Sequence, residues 1–289
     1  MNKIQRPNID DAFALTNLAA NHRVSSYPHL QTSVAMLHHA YAQYEAAQGN
    51  AFAVLPVPMN LQAAAYLKAH FKSPPQDLQH IKTLRQAEEH RTCPMCGSLH
   101  RGTLDHLLPQ SDHSAFVVFS LNLVPACKCN SIRQNLLIGP NPGERILHPY
   151  FDHCLRERLV RADFQDLGLV PKISLQLCVD GAHPEFAAVR FHVRSIVQRT
   201  AVLGQLNTNW ANLCRKPSLV IRALNVNPTS HAALQDVLQN EIETLDDAHD
   251  SKNNWYSMFV AGLLEPPVLA WLFQQLNTPG RLPNGPLPG

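Results

Sequence analysis

The chain has 289 residues, and its 24 Lys and Arg stand against 22 Asp and Glu, a formal net charge of +2 with His neutral. Hydrophobic residues make up 45% and charged residues 16%, which excludes a disordered chain and a strongly basic protein that coats nucleic acid non-specifically, but leaves room for a local basic site. The length suits one large domain or two to three small ones.

The first residues, Met1 to Phe13, contain no apolar run of the kind that makes a signal peptide. Residues 1–90 read as a helical region. Val34, Leu37, Tyr41 and Tyr44 follow the spacing of one helix face within Pro28 to Ala47, and Gly49-Asn50 suits its end. Asn60 is placed to cap a helix through Phe71, with Leu61, Ala64, Ala65, Leu67 and Phe71 inward. Ser73-Pro74-Pro75 breaks the chain, and a further helix is expected from Gln76 to His90, with Leu78, Ile81, Leu84 and Ala87 on one side.

Residues 91–150 change character, and Cys, His, Asn, Gly and Pro replace the helical composition. Cys93-Pro-Met-Cys96-Gly97 is a C-x2-C knuckle, and 30 residues later Cys127-Lys-Cys129 forms a second close pair. Two pairs of thiolates supply the four ligands of a closed structural zinc site, and a metal site in a reducing compartment explains the odd total of seven Cys better than a disulfide framework does. The second pair is C-x-C, one residue short of the usual spacing, so displacement of one of its sulfurs by His100, His113 or Cys154 stays open. Two buried free thiols are the plain alternative for the first pair. Between the pairs stand Asp105-His106-Leu-Leu-Pro109, Asn122 sixteen residues after the His, and Asn130 eight residues further on.

This ensemble resembles the HNH nucleases of the ββα-metal (His-Me finger) superfamily, whose pattern runs from a C-x2-C knuckle through Asp-His-x-x-Pro and Asn-Leu-x-x-x-Cys to Cys-Asn. The resemblance implies a ββα-metal core, and with the helical flanks the chain is expected to be α+β and mostly helical. It implies His106 as general base, Asp105 and Asn130 as ligands of a catalytic Mg²⁺ or Mn²⁺, Asn122 as the middle Asn that holds the loop, and Cys93, Cys96, Cys127 and Cys129 as zinc ligands. The chemistry agrees independently. Phosphodiester hydrolysis needs an activated water and a cation near developing negative charge. An imidazole of pKa about 6.5 accepts a proton at neutral pH, and oxygen ligands suit hard cations. As strand neighbours, Asp105 and His106 are expected on opposite faces. Asn135 and His113 are alternative metal ligands. The C-x-C departure, directly beside Asn130, also admits a catalytically inactive copy.

DNA is the expected substrate, with RNA as the other candidate. Lys128, Arg133 and Arg101 are the candidate nucleic-acid contacts, since residues 91–155 hold five basic residues (Arg91, Arg101, Lys128, Arg133, Arg145) against four acidic. A second cluster, Arg190, Arg194, Arg199, Arg215 and Lys216, lies further on. Chains of this kind resemble prokaryotic phage-defence or mobile-element nucleases. A zinc-held binding or scaffold module, and an effector that needs a protein partner docked on the N-terminal helices, are the two competing classes.

Residues 151–277 read as a third, mainly helical region. Leu159–Phe164 and Ile173–Val179 are expected strands, Val189–Leu213 one long helix, and Thr229–Leu245 and Trp255–Phe273 further helices. Glu265-Pro266-Pro267 breaks the last, so two buried helices are expected in place of a membrane span, and a cytoplasmic protein without membrane contact. The Pro/Gly-rich tail, 278–289, reads as disordered.

Overall fold

The computed structural model describes residues 1–86, 92–100 and 102–288. The expected contacts Arg91 and Arg101, and the expected helix end at 87–90 with Ala87, lie outside the described residues.

The first region forms four helices: α1 (Asp11–Ala20), α2 (Val34–Ala46), α3 (Leu61–Lys72) and α4 (Gln79–Gln86). Asp10, before α1, accepts from the Phe13 amide, and Asn60 caps α3 by accepting from the Gln62 amide at 2.8 Å. Leu37, Tyr41 and Tyr44 of α2 are buried, as the spacing predicts. On α3 the inward face is Ala63, Ala64, Leu67 and His70. Leu61 and Ala65, expected inward, are exposed, because at i, i+4 they share the helix face that points away from Ala63, Ala64 and Leu67.

The middle region holds β1 (Thr103–His106) antiparallel to β2 (Leu123–Ala126), with His106 opposite Leu123, and then a short helix, α5 (Cys129–Arg133). A second hairpin follows, β3 (Val160–Gln165) with β4 (Lys172–Leu177). Beyond it come α6 (Phe186–Ser195), α7 (Val202–Arg215), α8 (His231–His249), α9 (Trp255–Leu263) and α10 (Pro266–Leu276). A mixed, mostly helical α+β chain is therefore observed.

Two expectations change here. The long helix over Val189–Leu213 is broken between α6 and α7: Thr200 is extended, and its hydroxyl accepts from the Val202 amide, which restarts the helix. The tail expected to be disordered packs over 278–288. Leu287 is buried and its N–H donates to the Cys214 carbonyl at 2.7 Å, while Ser218 N–H donates to Asn284 Oδ1.

α9 lies on β3, and a Cβ at Gly262 would sit 2.5 Å from the Ala162 carbonyl oxygen, so only glycine permits the approach. The extended Glu265 and Pro266 at the start of α10 turn the chain, and α9 and α10 meet at 81°. Among the described residues no single helix is long and apolar enough to cross a membrane. Buried apolar side chains from all three regions, Met1 to Leu287, form one connected core.

Two of the buried polar groups report on pH. His148 and His192 are enclosed, and burial pulls their pKa from 6.5 to about 3 and about 4. Between those values and 6.5 the unfolded chain binds protons that the native chain refuses, so stability falls as pH drops. Asp11 works in the opposite sense, since burial lifts it from 3.8 to about 6 and the native chain takes its proton first. Among these three groups, two histidines against one carboxyl leave a net loss of about 1.4 kcal/mol per pH unit between pH 6 and 4, and burial lowers His70, His80, His106 and His113 in the same sense. Urea unfolding midpoints measured across this range should fall accordingly, and His148→Asn should reduce the slope by about 1.4 kcal/mol per pH unit.

Candidate functional site

The knuckle Cys93–Gly97 turns back on itself, with Gly97 N–H donating to the Cys93 carbonyl at 2.9 Å and Gly97 at φ +82°. A Cβ there would meet the Asn253 carbonyl oxygen at 2.0 Å, so the turn needs glycine for both its angle and its space. β2 ends at Ala126, Cys127 follows it directly, and Cys129 opens α5. All four sulfurs, of Cys93, Cys96, Cys127 and Cys129, lie within 4.8 Å of one another. Cys93 and Cys129 Sγ are 3.7 Å apart and Cys96 and Cys127 Sγ 3.4 Å. Tetrahedral zinc with bonds of about 2.3 Å requires sulfurs about 3.8 Å apart. No disulfide joins any of the seven cysteines. The backbone amides of Cys127 and Cys129 point at the sulfurs of Cys93 and Cys127, both at 3.4 Å.

The electrostatics call for a cation. Hydrogen bonds from the Cys127, Cys129 and Cys96 thiols pull the Cys93 thiol well below its ordinary value. The same crowding, Cys127 foremost, pushes Cys96 and Cys129 up. One thiolate is stabilised by its neighbours and the next ones are opposed until a divalent ion neutralises them. The cluster could thus hold a metal such as zinc. The C-x-C spacing brings both sulfurs in, and none of the alternative ligands is drawn upon. His100 Nδ1 is 3.1 Å from Ser98 Oγ, while His113 and Cys154 are buried outside the cluster.

Beside this centre lies an open cleft of about 270 Å³, lined among others by Asp105, His106, Gln110, Asn130, Arg133 and Asn135. Asp105 and His106 do not diverge to opposite faces. Asp105 Oδ1 turns back to accept from the His106 amide at 2.8 Å and stands 3.9 Å from His106 Nδ1. His106 is buried, with Phe71 of α3 edge-on to its ring at 4.3 Å. Its Nε2 is 2.8 Å from the Val117 carbonyl, which must therefore receive an N–H, and its Nδ1 is 3.1 Å from Gln110 Nε2. In the neutral ring Nδ1 is then the lone-pair nitrogen. Burial lowers the His106 pKa, against the Val117 carbonyl and Asp105, so the ring is in its proton-accepting form at neutral pH.

Asn122, fully buried, spans the loop between β1 and β2. Its Nδ2 donates to the Leu108 and Phe116 carbonyls at 3.2 and 3.1 Å, and its Oδ1 accepts from the Leu108 amide at 2.8 Å. Asn130 donates from Nδ2 to the His106 carbonyl at 2.8 Å, and its Oδ1 accepts from Arg133 Nε at 2.7 Å. An amide oxygen keeps a second lone pair, so Asn130 Oδ1 and the partly exposed Asp105 carboxylate remain a donor pair suited to a hard cation. Asn135 uses its Nδ2 on Ser111 and Asp112.

Arg133 corrects the sequence expectation. It is buried, and its guanidinium donates to the carbonyls of His106, Leu107, Gln134 and Leu136 as well as to Asn130. It is a strut between α5 and β1, not a phosphate contact. Burial pulls it down to about 10, which leaves it charged at neutral pH. Lys128, at the start of α5, is exposed. Sequence reasoning missed Gln110, the Val117 carbonyl and Phe71. A larger cleft of about 670 Å³ lies between the second hairpin, α8 and α9, but its arginines are spent on ion pairs, Arg158 with Asp246 at 2.6 Å and Arg161 with Glu265 at 3.0 Å.

No protein-family model and no solved structure matches the chain. Among curated proteins it is similar to Protein ea31 of Escherichia phage lambda, with 34% identity over 76 residues. That stretch is 25% of this chain and 26% of the phage protein, so the chain spans about a quarter of the length of the relative it matches.

The cysteine centre makes a direct prediction. Purified protein should contain one metal ion per chain by elemental analysis. Cys129→Ser should lose that ion and lower the thermal midpoint by 10 °C or more, on the order of a lost structural metal.

Proposed function

We propose that the chain is a metal-dependent HNH endonuclease that hydrolyses phosphodiester bonds in DNA, with structural zinc on Cys93, Cys96, Cys127 and Cys129. The observation that carries this reading is the single cleft shared by Asp105, His106 and Asn130, in which a neutral His106 turns its Nδ1 lone pair toward Asp105 and Gln110. His106 takes the proton of the attacking water at Nδ1. The Val117 carbonyl keeps hold of the Nε2–H and stabilises the imidazolium that results. Asn122 fixes the loop that carries that carbonyl, and Arg133 fixes the direction of Asn130 Oδ1. Mg²⁺ or Mn²⁺ held by Asp105 and Asn130 would supply positive charge where negative charge builds on the phosphate.

Lys128, exposed beside the cleft, is available to phosphate. So are Arg190 and Arg194 of α6, about half exposed, which share the one buried carboxylate of Glu144 at 3.3 and 3.7 Å and leave a surplus positive charge. The short 3₁₀ turn after α6 packs on α5, while Arg190 and Arg194 line a separate pocket with Glu144, Leu175 and Leu177. Similarity to a phage protein over a quarter of the chain is in keeping with a nuclease of phages, of mobile elements or of the defence against them. One observation favours the second reading, a zinc-held module without catalysis: Arg133 already occupies one lone pair of Asn130.

Plasmid DNA incubated with the protein and Mg²⁺ or Mn²⁺ should be nicked or cut. His106→Ala should lower the rate by about 10²- to 10⁴-fold, the usual contribution of a general base, while the cysteine-bound metal stays in place. Equal cutting by His106→Ala would remove the assignment, and no cutting by the parent chain under any divalent ion would favour the second reading.

A further inference from the structure

His106 has one nitrogen free to accept a proton, and that nitrogen already has a partner. With Nε2 committed to the Val117 carbonyl, Nδ1 carries the lone pair, and the group 3.1 Å from it is the side-chain amide of Gln110. The orientation of that amide follows from the ring. A lone pair needs a donor, so the NH₂ faces His106 and the oxygen faces away. A water about to give its proton to Nδ1 must place its own oxygen at hydrogen-bond distance from the same lone pair. The amide nitrogen occupies that place. Gln110 and the attacking water therefore exclude each other.

The surroundings allow the exchange. Gln110 is half-buried and lines the open cleft between Pro109 and Ser111, so its side chain has room to swing into the cleft. His106 itself is fixed by Phe71, by the Val117 carbonyl and by the Arg133 and Asn130 bonds to its own carbonyl, and has no comparable freedom.

We infer that Gln110 is a positioning residue that covers the base at rest: its amide caps Nδ1 of His106 until substrate and water displace it. The inference rests on the nuclease reading for its consequence, though the cap itself does not. A neutral hydrogen bond biases such an exchange by about two- to tenfold. Because the cap must be broken before the complex is productive, the bias appears as a raised KM for the parent chain.

Two measurements on the full, zinc-loaded chain test it, each comparing the parent with Gln110→Ala. The first uses diethyl pyrocarbonate, which acylates an unprotonated ring nitrogen, at neutral pH without Mg²⁺ or Mn²⁺, with modification of His106 followed by peptide mass. Gln110→Ala should raise the rate at His106 by about two- to tenfold and leave the exposed His39 unchanged as internal control. The second is plasmid cleavage, where Gln110→Ala should raise kcat/KM by a similar factor, carried by a lower KM with kcat unchanged. An unchanged modification rate overturns the cap. Faster modification together with a fallen kcat overturns the masking role, since Gln110 would then serve the bound water. If neither protein cuts, the nuclease reading and the consequence for cleavage both fall, and the modification rate alone decides whether Gln110 covers Nδ1.

Discussion

Four sulfurs gathered within 4.8 Å of one another are the constraint on which the rest of the molecule hangs. They tie the knuckle at 93–97 to the end of β2 and the start of α5, and the knuckle is itself gripped from outside. Its carbonyls are spent one by one: Pro94 accepts from the Asn2 amide, Met95 from His192 Nε2, Cys96 from the Trp255 indole and Gly97 from the Trp255 amide. The N-terminal segment, α6 and α9 thus converge on five residues. Binding of zinc to four cysteines is worth about 10–16 kcal/mol, as much as the whole net stability of a typical domain. A metal there would act on the fold at large and not only on one turn.

The same constraint reaches the cleft through α5. Cys129 and Asn130 are adjacent, so whatever sets the sulfur sets the amide one residue on. α5 is only five residues long and cannot hold its direction by its own hydrogen bonds. Arg133 supplies what the helix lacks. A buried guanidinium is costly unless its donors are matched, and here backbone carbonyls of β1, of the loop after it and of the chain after α5 match them, together with Asn130. The charge is kept where a carbonyl-rich strand end would otherwise go unpaired, and it fixes α5 against β1.

The cleft was legible in the sequence where chemistry depends on side chains at short spacing. Asp105, His106, Asn130 and the two cysteine pairs stand in one stretch, and the structure brings Asp105, His106 and Asn130 to one cleft and the cysteines to one cluster. What could not be read has a common cause. The Val117 carbonyl is a backbone group, and any residue could carry it. Arg133 looks like a surface cation until the carbonyls that surround it are assembled. The break between α6 and α7 hides in an unbroken helical composition, since a Thr hydroxyl restarting a helix differs little on paper from a Thr inside one. The tail misled in the opposite direction. Pro and Gly argue against regular structure, not against packing, and Leu287 is buried without any helix or strand to carry it.

The sequence marks the N-terminal helices as a separate region, yet much of their polar chemistry turns inward to the loop between β1 and β2. Asp11 of α1 accepts from both the amide and the hydroxyl of Ser120, His80 of α4 reaches the Val118 carbonyl, and Tyr41 and Tyr44 of α2 pack on Phe119 and Phe116. Val117 lies inside this span. Its carbonyl points at His106 because the residues on either side are held by three different helices, and Asn122 closes the loop at its far end. A two-stranded hairpin is marginal alone and could not keep a sixteen-residue loop in register. The imidazole is therefore oriented by parts of the chain up to 95 residues away in sequence, counted from Asp11 to His106, and the small β-β-α unit and the helices before it form one working piece.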